Sequence, residues 1–214
     1  MLLYGSTMSP FVRKVTAFAA EKGIAMELKP MGLGDPDPGF AAASPFRKMP
    51  ALQDGDYSLC DSSAIIHYLE AKHPEPALIP AEPRARGSAI WFDEFADTIL
   101  FSCGGTIFFN RIVAPRFHGR AGDPAAADKA ESETLPPILD YLEGVVPDHG
   151  FLVGDSLSIA DIAVASPFAN LSHAGVTIDA VRYPRLTTYV ASILERPSFA
   201  STVAREAAFL NRTP

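Results

Sequence analysis

A cluster of four prolines between His73 and Pro83 divides this chain into two parts of different character. Proline disrupts helix interiors and central strands, so the cluster predicts a linker. Before it, the hydrophobic pattern switches repeatedly between the periods of strands and helices. After it, the pattern is helical almost throughout. We therefore predict a small α/β domain over residues 1–78 and an all-α domain over residues 84–214.

The N-terminal part begins with a strand, a helix and a second strand. An apolar strand at residues 2–5 is followed by Ser9, a good N-cap, and Pro10, a residue favoured at the first helical position. Residues 25–31 alternate as a strand does. This order predicts a parallel strand pair joined by a right-handed crossover.

The charge pattern of the first helix predicts an amphipathic element. Its apolar residues Val12, Val15 and Ala19 share one face. Its lysines and arginine fall mostly on the other face, which we expect to be polar. Gly23 follows as the glycine that ends the helix.

A hairpin and a second helix complete the N-terminal part. The segment at residues 32–45 is rich in glycine and proline, and we expect a loop there with one irregular helix. Residues 49–53 and 57–60 are then predicted to be two strands of a hairpin, joined by the turn sequence at residues 54–56. Asp61 and Ser62 then cap the next helix.

The C-terminal part is predicted to be a series of helices. The first runs from Arg84 to about Val113, and the second covers residues 124–144 with an interruption at its two adjacent prolines. Ser158 and Asp161 match a capping box before an apolar run. We expect this pair to be structural. Two shorter helices are predicted near Pro184–Glu195 and Ser198–Leu210.

Composition and charge narrow the possible functions. The chain has 214 residues and a net charge of −7, which gives no electrostatic case for binding nucleic acid. No apolar run approaches the length of a membrane span, and the first ten residues do not resemble a signal peptide. Cys60 and Cys103 form no disulfide framework, so a reducing cytoplasm is expected. The scattered histidines predict no metal site.

Several motifs in order resemble those of the glutathione S-transferase family. They are the segments LYGSTMSPFVRKV at 3–15, KMPAL at 48–52, DSSAI at 61–65, FLVGD at 151–155 and SIAD at 158–161. The S-P-F-V-R-K stretch is most similar to a bacterial group of these enzymes. The resemblance covers essentially the whole chain. It implies a thioredoxin-like N-terminal domain, which binds glutathione, and an all-helical C-terminal domain with an electrophile pocket and dimer contacts.

The residue that activates the thiol is the main departure from the family pattern. The family's tyrosine after the first strand is missing, because Tyr4 lies inside the strand, and Ser9 stands where some classes place a cysteine. The resemblance implies that Ser9 activates glutathione, since a hydroxyl and a helix N-terminus both stabilise a thiolate. Ser6 and Thr7 remain alternatives for this role, and Ser9 also fits a simple N-cap.

The resemblance also implies contacts along the rest of glutathione. A cis Met49–Pro50 bond would present the Met49 backbone to the cysteinyl residue, and Lys48, unless merely solvated, would reach the glycyl carboxylate. Ser62 would hold the γ-glutamyl carboxylate at a helix N-terminus, with Asp61 facing the amine. Both residues also fit the role of a helix cap.

Aromatic residues follow the linker, and most are expected in the core or a dimer interface, with one or two lining the electrophile pocket. They are Trp91, Phe101, Phe108, Phe109 and Phe117.

The implied activity is that of a cytoplasmic, homodimeric detoxification enzyme that uses glutathione as co-substrate and no metal. It would transfer glutathione to a small hydrophobic electrophile. Two alternatives stay open. One is a glutathione-binding module with little turnover, and the other is a glutathione-dependent disulfide reductase, peroxidase or isomerase.

Overall fold

The protein is described here by a computed structural model that covers residues 1–32 and 34–212. The chain forms two compact units, Met1–Ile79 and Pro80–Pro214. The division between the units falls inside the proline cluster.

The first unit is a four-stranded mixed sheet with helices, in the thioredoxin-like arrangement. Strand order is β2-β1-β3-β4, with β1 parallel to β2 and antiparallel to β3. The predicted parallel pair and the β3–β4 hairpin are both present. The elements are β1 (Leu2–Tyr4), α1 (Pro10–Glu21), β2 (Glu27–Lys29), α2 (Pro38–Ala43), β3 (Ala51–Asp54), β4 (Tyr57–Cys60) and α3 (Ser62–Lys72).

The expectation that the cations of α1 form a polar outer face is wrong. Arg13 and Lys14 are 0% and 1% exposed, and Lys22 is buried as well. The Lys14 ammonium lies 3.2 Å from the Ser63 hydroxyl, and Lys22 Nζ lies 2.7 Å from a Glu70 carboxylate oxygen. Polar groups of α3 therefore compensate charges that the helix buries, and the periodicity of one helix cannot reveal such partners.

Glu70 also holds the end of the first unit in place. Its second carboxylate oxygen accepts hydrogen bonds from the backbone N–H groups of Leu78 and Ile79, each at 3.1 Å. Lys22 Nζ donates in addition to the Pro76 carbonyl at 2.6 Å. This lysine–glutamate pair thus fixes the first part of the proline cluster against α1 and α3.

The second unit is entirely helical within the described residues, as predicted. The first helical run passes Val113 and ends at Phe117, and π-helical segments interrupt the helices at Phe95–Leu100, Phe109–Val113 and Ala130–Thr134. The α-helices are α4 (Pro83–Glu94), α5 (Phe101–Phe108), α6 (Ala114–Phe117), α7 (Pro124–Lys129), α8 (Leu135–Val145), α9 (Ile159–His173), α10 (Pro184–Leu194) and α11 (Pro197–Leu210).

The predicted interruption at Pro136 and Pro137 takes a different form. Both prolines fall near the start of α8, and the π-helical segment Ala130–Thr134 comes just before it. Proline costs little in a first helical turn, because the N–H groups there have no intrahelical partner.

Helix α9 is the buried centre of the second unit, and the predicted capping box at its start is confirmed. The Asp161 carboxylate accepts hydrogen bonds from the Ser158 N–H at 2.9 Å, the Leu152 N–H at 2.8 Å and the Tyr189 hydroxyl at 2.7 Å. Burial raises the pKa of Asp161, and these hydrogen bonds oppose that effect. The pKa of Tyr189 is raised well above its ordinary value, also chiefly by burial.

The helical run Pro83–Phe117 is long and apolar enough, by length and composition alone, to cross a membrane. The expectation that no stretch reaches this length is therefore wrong. In the most apolar part of this run, a share of 33% is buried inside the protein. The core helix of a water-soluble protein can pass the same test of length and composition, so the finding is weak support for a membrane span.

Candidate active site

The register of the sheet brings three chain segments to one edge. Tyr4, the last residue of β1, pairs with Ala51, the first residue of β3, and Ala51 pairs with Cys60, the last residue of β4. The segments that follow Tyr4, precede Ala51 and follow Cys60 therefore all lie at the same end of the strands. These segments carry Ser9, Met49 and Asp61–Ser62, so the predicted site residues of three motifs belong to one edge of the first unit.

Ser9 is the N-cap of α1, but its side chain makes no capping hydrogen bond. Its backbone N–H donates to the Ser6 carbonyl at 2.9 Å, and its carbonyl accepts the first helical bond from the Arg13 N–H at 3.0 Å. The residue is half-buried. Backbone hydrogen bonds alone therefore form the start of the helix at Ser9, and the Ser9 hydroxyl does not cap it.

Ser6 has a local structural role instead. Its hydroxyl oxygen accepts a weak hydrogen bond from the Met8 N–H at 3.4 Å, and its carbonyl accepts the bond from Ser9. These bonds close the turn between β1 and α1, as a serine commonly does. Thr7 is half-buried within the same turn.

Gly5 shapes the turn between β1 and α1, a role that the sequence pattern did not indicate. Its φ is +155°, and a Cβ at this position would lie 2.5 Å from a methyl carbon of Val12. Only glycine lets the chain leave β1 so close to α1. A glycine directly after a short strand and before a capped helix is the signal that could have found it.

The loop before β3 is fixed by a buried serine. The Ser44 hydroxyl donates to the Lys48 carbonyl at 2.7 Å and accepts from the Lys48 N–H at 2.9 Å. The Met49–Pro50 peptide bond is cis, as predicted, and Met49 is half-buried. Lys48 is exposed. Ser44 was also missed, because a serine in a loop carries no signal of its own.

The N-terminus of α3 is the third part of the edge. Asp61 is its N-cap and accepts a hydrogen bond from the Ala64 N–H at 3.0 Å. Its φ of +82° lies in the left-handed region, which costs a non-glycine residue about 1–3 kcal/mol and is found most often at functional sites. Ser62, the first helical residue, is buried.

The aromatic residues singled out in the sequence belong to the second unit. Phe108 is buried and Phe101 is half-buried, whereas Trp91, Phe109 and Phe117 are exposed. Trp91 donates a hydrogen bond to the Tyr141 hydroxyl at 3.0 Å. Three of the five keep a third or more of their surface exposed in the single chain, so the core alone does not take most of them. That most lie in the core or in a dimer interface stays a prediction.

Neither cysteine of the chain has the surroundings of an activated nucleophile. Burial raises the pKa of the Cys103 thiol to about 11. Cys60 packs, partly buried, against the apolar cluster that includes Tyr4, Phe40 and Ala51. Over residues 1–32 and 34–212, no group of three or more His, Cys, Asp or Glu side chains is placed to hold a metal ion.

Two helix N-termini and a cis-proline loop meet at one end of the mixed sheet, and a helical unit follows along the chain. Comparison with known proteins identifies the class of protein that has this arrangement. The family model described as "Glutathione S-transferase, N-terminal domain" matches residues 3–77, and the one described as "Glutathione S-transferase, C-terminal domain" matches residues 110–204. The chain belongs to the glutathione S-transferase family.

Individual relatives match over nearly their whole length. "Glutathione S-transferase 3" of Zea mays is 32% identical over 211 residues, which are 94% of this chain and 92% of the relative. The solved structure of glutathione S-transferase III in apo form superposes with a TM-score of 0.80 at 31% identity, covering 100% of this chain and 98% of the other. A glutathione S-transferase of Methylobacterium radiotolerans, in complex with glutathione sulfonate, superposes with a TM-score of 0.77 at 29% identity, covering 94% and 93%.

Proposed function

We propose that this glutathione S-transferase binds glutathione along the edge described above and activates its thiol with Ser9. The observation that carries the proposal is the Ser9 side chain, which stands at the start of α1 and makes no capping hydrogen bond. A relative solved with glutathione sulfonate and one solved with lactoylglutathione support the choice of ligand.

The chemistry follows from the acidity of a thiol. An ordinary cysteine thiol has a pKa of about 8.5, so it is mostly protonated at neutral pH. A hydroxyl that donates to the sulfur and the positive end of a helix both favour the thiolate. The thiol releases its proton to solvent water, and the thiolate attacks the electrophilic carbon with its electron pair. A C–S bond forms, and the leaving group departs with the electrons of its own bond.

The rest of the tripeptide is assigned to the same edge. The Met49 backbone pairs with the cysteinyl residue, and Lys48 faces the glycyl carboxylate. The Ser62 N–H and hydroxyl hold the γ-glutamyl carboxylate at the start of α3, and Asp61 faces the amine. The buried position of Ser62 and the exposed carboxylate of Asp61 are compatible with these roles.

The second candidate is a glutathione-binding protein with little turnover, or one that reduces disulfides or peroxides or isomerises a substrate. Serine at position 9 disfavours reduction by a protein thiol, although two glutathione molecules could supply the electrons. Activity measured with aryl halides, hydroxyethyl disulfide and organic peroxides separates these functions. Conjugation of an aryl halide supports the transferase. Glutathione binding without turnover of any substrate supports the binding module.

We further propose a cytoplasmic homodimer with a role in detoxification and no need for a metal. Isologous dimers are the commonest oligomers, and Trp91 and Ile99 leave apolar surface exposed on the first helical run. Light scattering at micromolar concentration should give about twice the 22.9 kDa of one chain. A mass near that of one chain would refute the dimer, and loss of activity on dialysis against a chelator would refute the metal-free assignment.

A further inference from the structure

Two pairs of aromatic rings meet at the end of α6 in the second unit. Phe117, the last residue of α6, stacks on Phe209 of α11, with 6.1 Å between the ring centroids and 10° between the ring planes. The next residue, His118, lies against Phe109 at a centroid distance of 6.0 Å. Phe109, Phe117 and Phe209 are 36%, 46% and 44% exposed. A surface that leaves three neighbouring phenylalanine rings open to solvent is typical of an interaction site.

Two arginines lie over these rings. The Arg116 guanidinium is 5.3 Å from the centroid of the Phe209 ring. The Arg120 guanidinium is 5.5 Å from the centroid of the Phe109 ring. Both distances are those of cation–π contacts. Arg116 Nη2 also donates hydrogen bonds to the Phe209 carbonyl at 2.8 Å and the Arg212 carbonyl at 2.7 Å, so it fixes the end of α11 against α6.

The charge of this surface is opposite to that of the chain. Residues 109–122 contain three arginines and no acidic residue, although the whole chain carries a net charge of −7. One of the three, Arg111, is paired with two acidic side chains. Neither Arg116 nor Arg120 forms an ion pair with a carboxylate in the part of the chain that the structure describes. Both guanidinium charges are therefore available to an anion from outside the chain.

We propose that Phe109, Arg116, Phe117, Arg120 and Phe209, which we call the arginine–phenylalanine patch, bind a small aromatic carboxylate. Guanidinium groups bind carboxylate oxygens through charge-assisted hydrogen bonds, and exposed rings stack on the aromatic part of a ligand. A neutral aromatic compound would gain only the stacking, and an aliphatic anion only the ionic bonds. This inference goes beyond the proposed function and does not depend on it, because the whole patch belongs to the second unit.

The charge balance of the chain favours a small ligand over a polyanion. A long anion such as a nucleic acid would extend beyond the patch and be repelled by the rest of a chain whose net charge is −7. A single carboxylate meets only the two arginines. Because the patch is exposed, salt should screen this attraction and weaken binding.

Arg182 provides a matched control elsewhere in the second unit. Its guanidinium lies 5.0 Å from the centroid of the Tyr183 ring, as the two arginines of the patch lie over phenylalanine rings. In contrast to them, it is paired with Asp140 at 2.8 Å. Arg182→Gln therefore removes an arginine that contacts a ring but whose charge is already compensated.

The test compares three probes in titrations followed by nuclear magnetic resonance. They are 2-naphthoate, 2-naphthamide, which keeps the rings without the charge, and cyclohexanecarboxylate, which keeps the charge without an aromatic ring. The wild type should bind 2-naphthoate most tightly. Arg120→Gln should weaken 2-naphthoate about three- to fivefold, as expected for one exposed ion pair, and change 2-naphthamide less than about twofold. Phe117→Leu should weaken both naphthalene compounds, because it removes a ring from the patch. Arg182→Gln should leave all three affinities unchanged.

Arg120 is the decisive position, because its exposed side chain contacts only the Phe109 ring within the described residues, whereas Arg116 also holds α11. Equal affinities of the wild type for 2-naphthoate and 2-naphthamide would overturn the inference, and so would equal losses of both in Arg120→Gln. A loss of 2-naphthoate affinity as large in Arg182→Gln as in Arg120→Gln would show a general effect of net charge and overturn it as well. A wild-type protein that binds 2-naphthoate as described but binds no glutathione would overturn the proposed function and support this inference.

Discussion

Two serines that precede helices in this protein are used in opposite ways. Ser158, at the start of α9, is 2% exposed, and its hydroxyl accepts a hydrogen bond from the Ala160 N–H and donates one to Asp161. Ser9, at the start of α1, is half-buried and makes no capping bond with its side chain. The same residue type at the same helix position is a structural cap in one unit and the candidate catalytic group in the other.

The difference lies in the third residue of each helix. In α9 this residue is Asp161, whose carboxylate reaches back to the Ser158 N–H and completes a capping box. In α1 it is Val12, which offers no acceptor, and the Ser9 N–H is satisfied by Ser6 instead. Ser9 therefore differs from Ser158 in two ways: its hydroxyl makes no capping bond, and its helix has no acidic residue at the third position.

The largest stability effect is expected at Asp161. Asp161→Ala removes the acceptor of bonds from Leu152, Ser158 and Tyr189, and each buried donor left without a partner costs about 1–3 kcal/mol. The free energy of unfolding in urea should fall by about 3 kcal/mol or more. Asp161→Asn, which keeps one carbonyl oxygen, should lose less. A change below about 1 kcal/mol in the alanine variant would contradict the structural role, since this is no more than one typical hydrogen bond.

Ser158→Ala should have a smaller effect. It removes the hydroxyl half of the capping box but leaves the Asp161 bond to the backbone, so the expected loss is that of one N-cap, about 0.5–2 kcal/mol. Ser158→Thr, which keeps a hydroxyl, is the control. Equal stabilities of the alanine variant and the wild type would show that this serine is not a cap.

Ser9→Ala should have the smallest effect on stability. Because the side chain makes no capping bond, the free energy of unfolding should change by less than about 0.5 kcal/mol, as for an ordinary surface substitution. The same urea titration measures it. A loss comparable to that of Ser158→Ala would mean that both serines are structural caps and would remove the contrast between them.

The order of elements in this chain follows from local signals. Proline at helix starts, the turn at residues 54–56 and the capping box at Ser158 act within a few residues, so the sequence pattern reveals them. The burial of Lys14 and Lys22 depends on partners about 50 positions away in α3, and no local pattern carries that information.

The site could be predicted in part for the same reason. Ser9, Asp61 and Ser62 have recognisable positions at helix starts, and the family resemblance supplied Met49 and Lys48. The supporting residues Gly5 and Ser44 act through a close approach to Val12 and a bond pair with Lys48, which only the folded chain shows. The hydrophobic period of the sequence likewise did not predict the π-helical segments of the second unit.

Activation of glutathione by the Ser9 hydroxyl is tested most directly by the thiolate absorbance of the bound ligand, measured against pH. Ser9→Ala should raise the pKa of bound glutathione and lower turnover at neutral pH about ten- to a hundredfold, as expected for losing one donor to an anion. Affinity should fall little, because the contacts proposed for Met49 and Ser62 do not involve Ser9. Thr7→Ala and Ser6→Ala should lower turnover less than about threefold, since these residues belong to the turn before α1 and lie farther from the helix N-terminus than Ser9. A titration that shifts in either of these variants and not in Ser9→Ala would contradict the claim, and no shift in any of the three would assign activation to the helix end and its N–H groups alone.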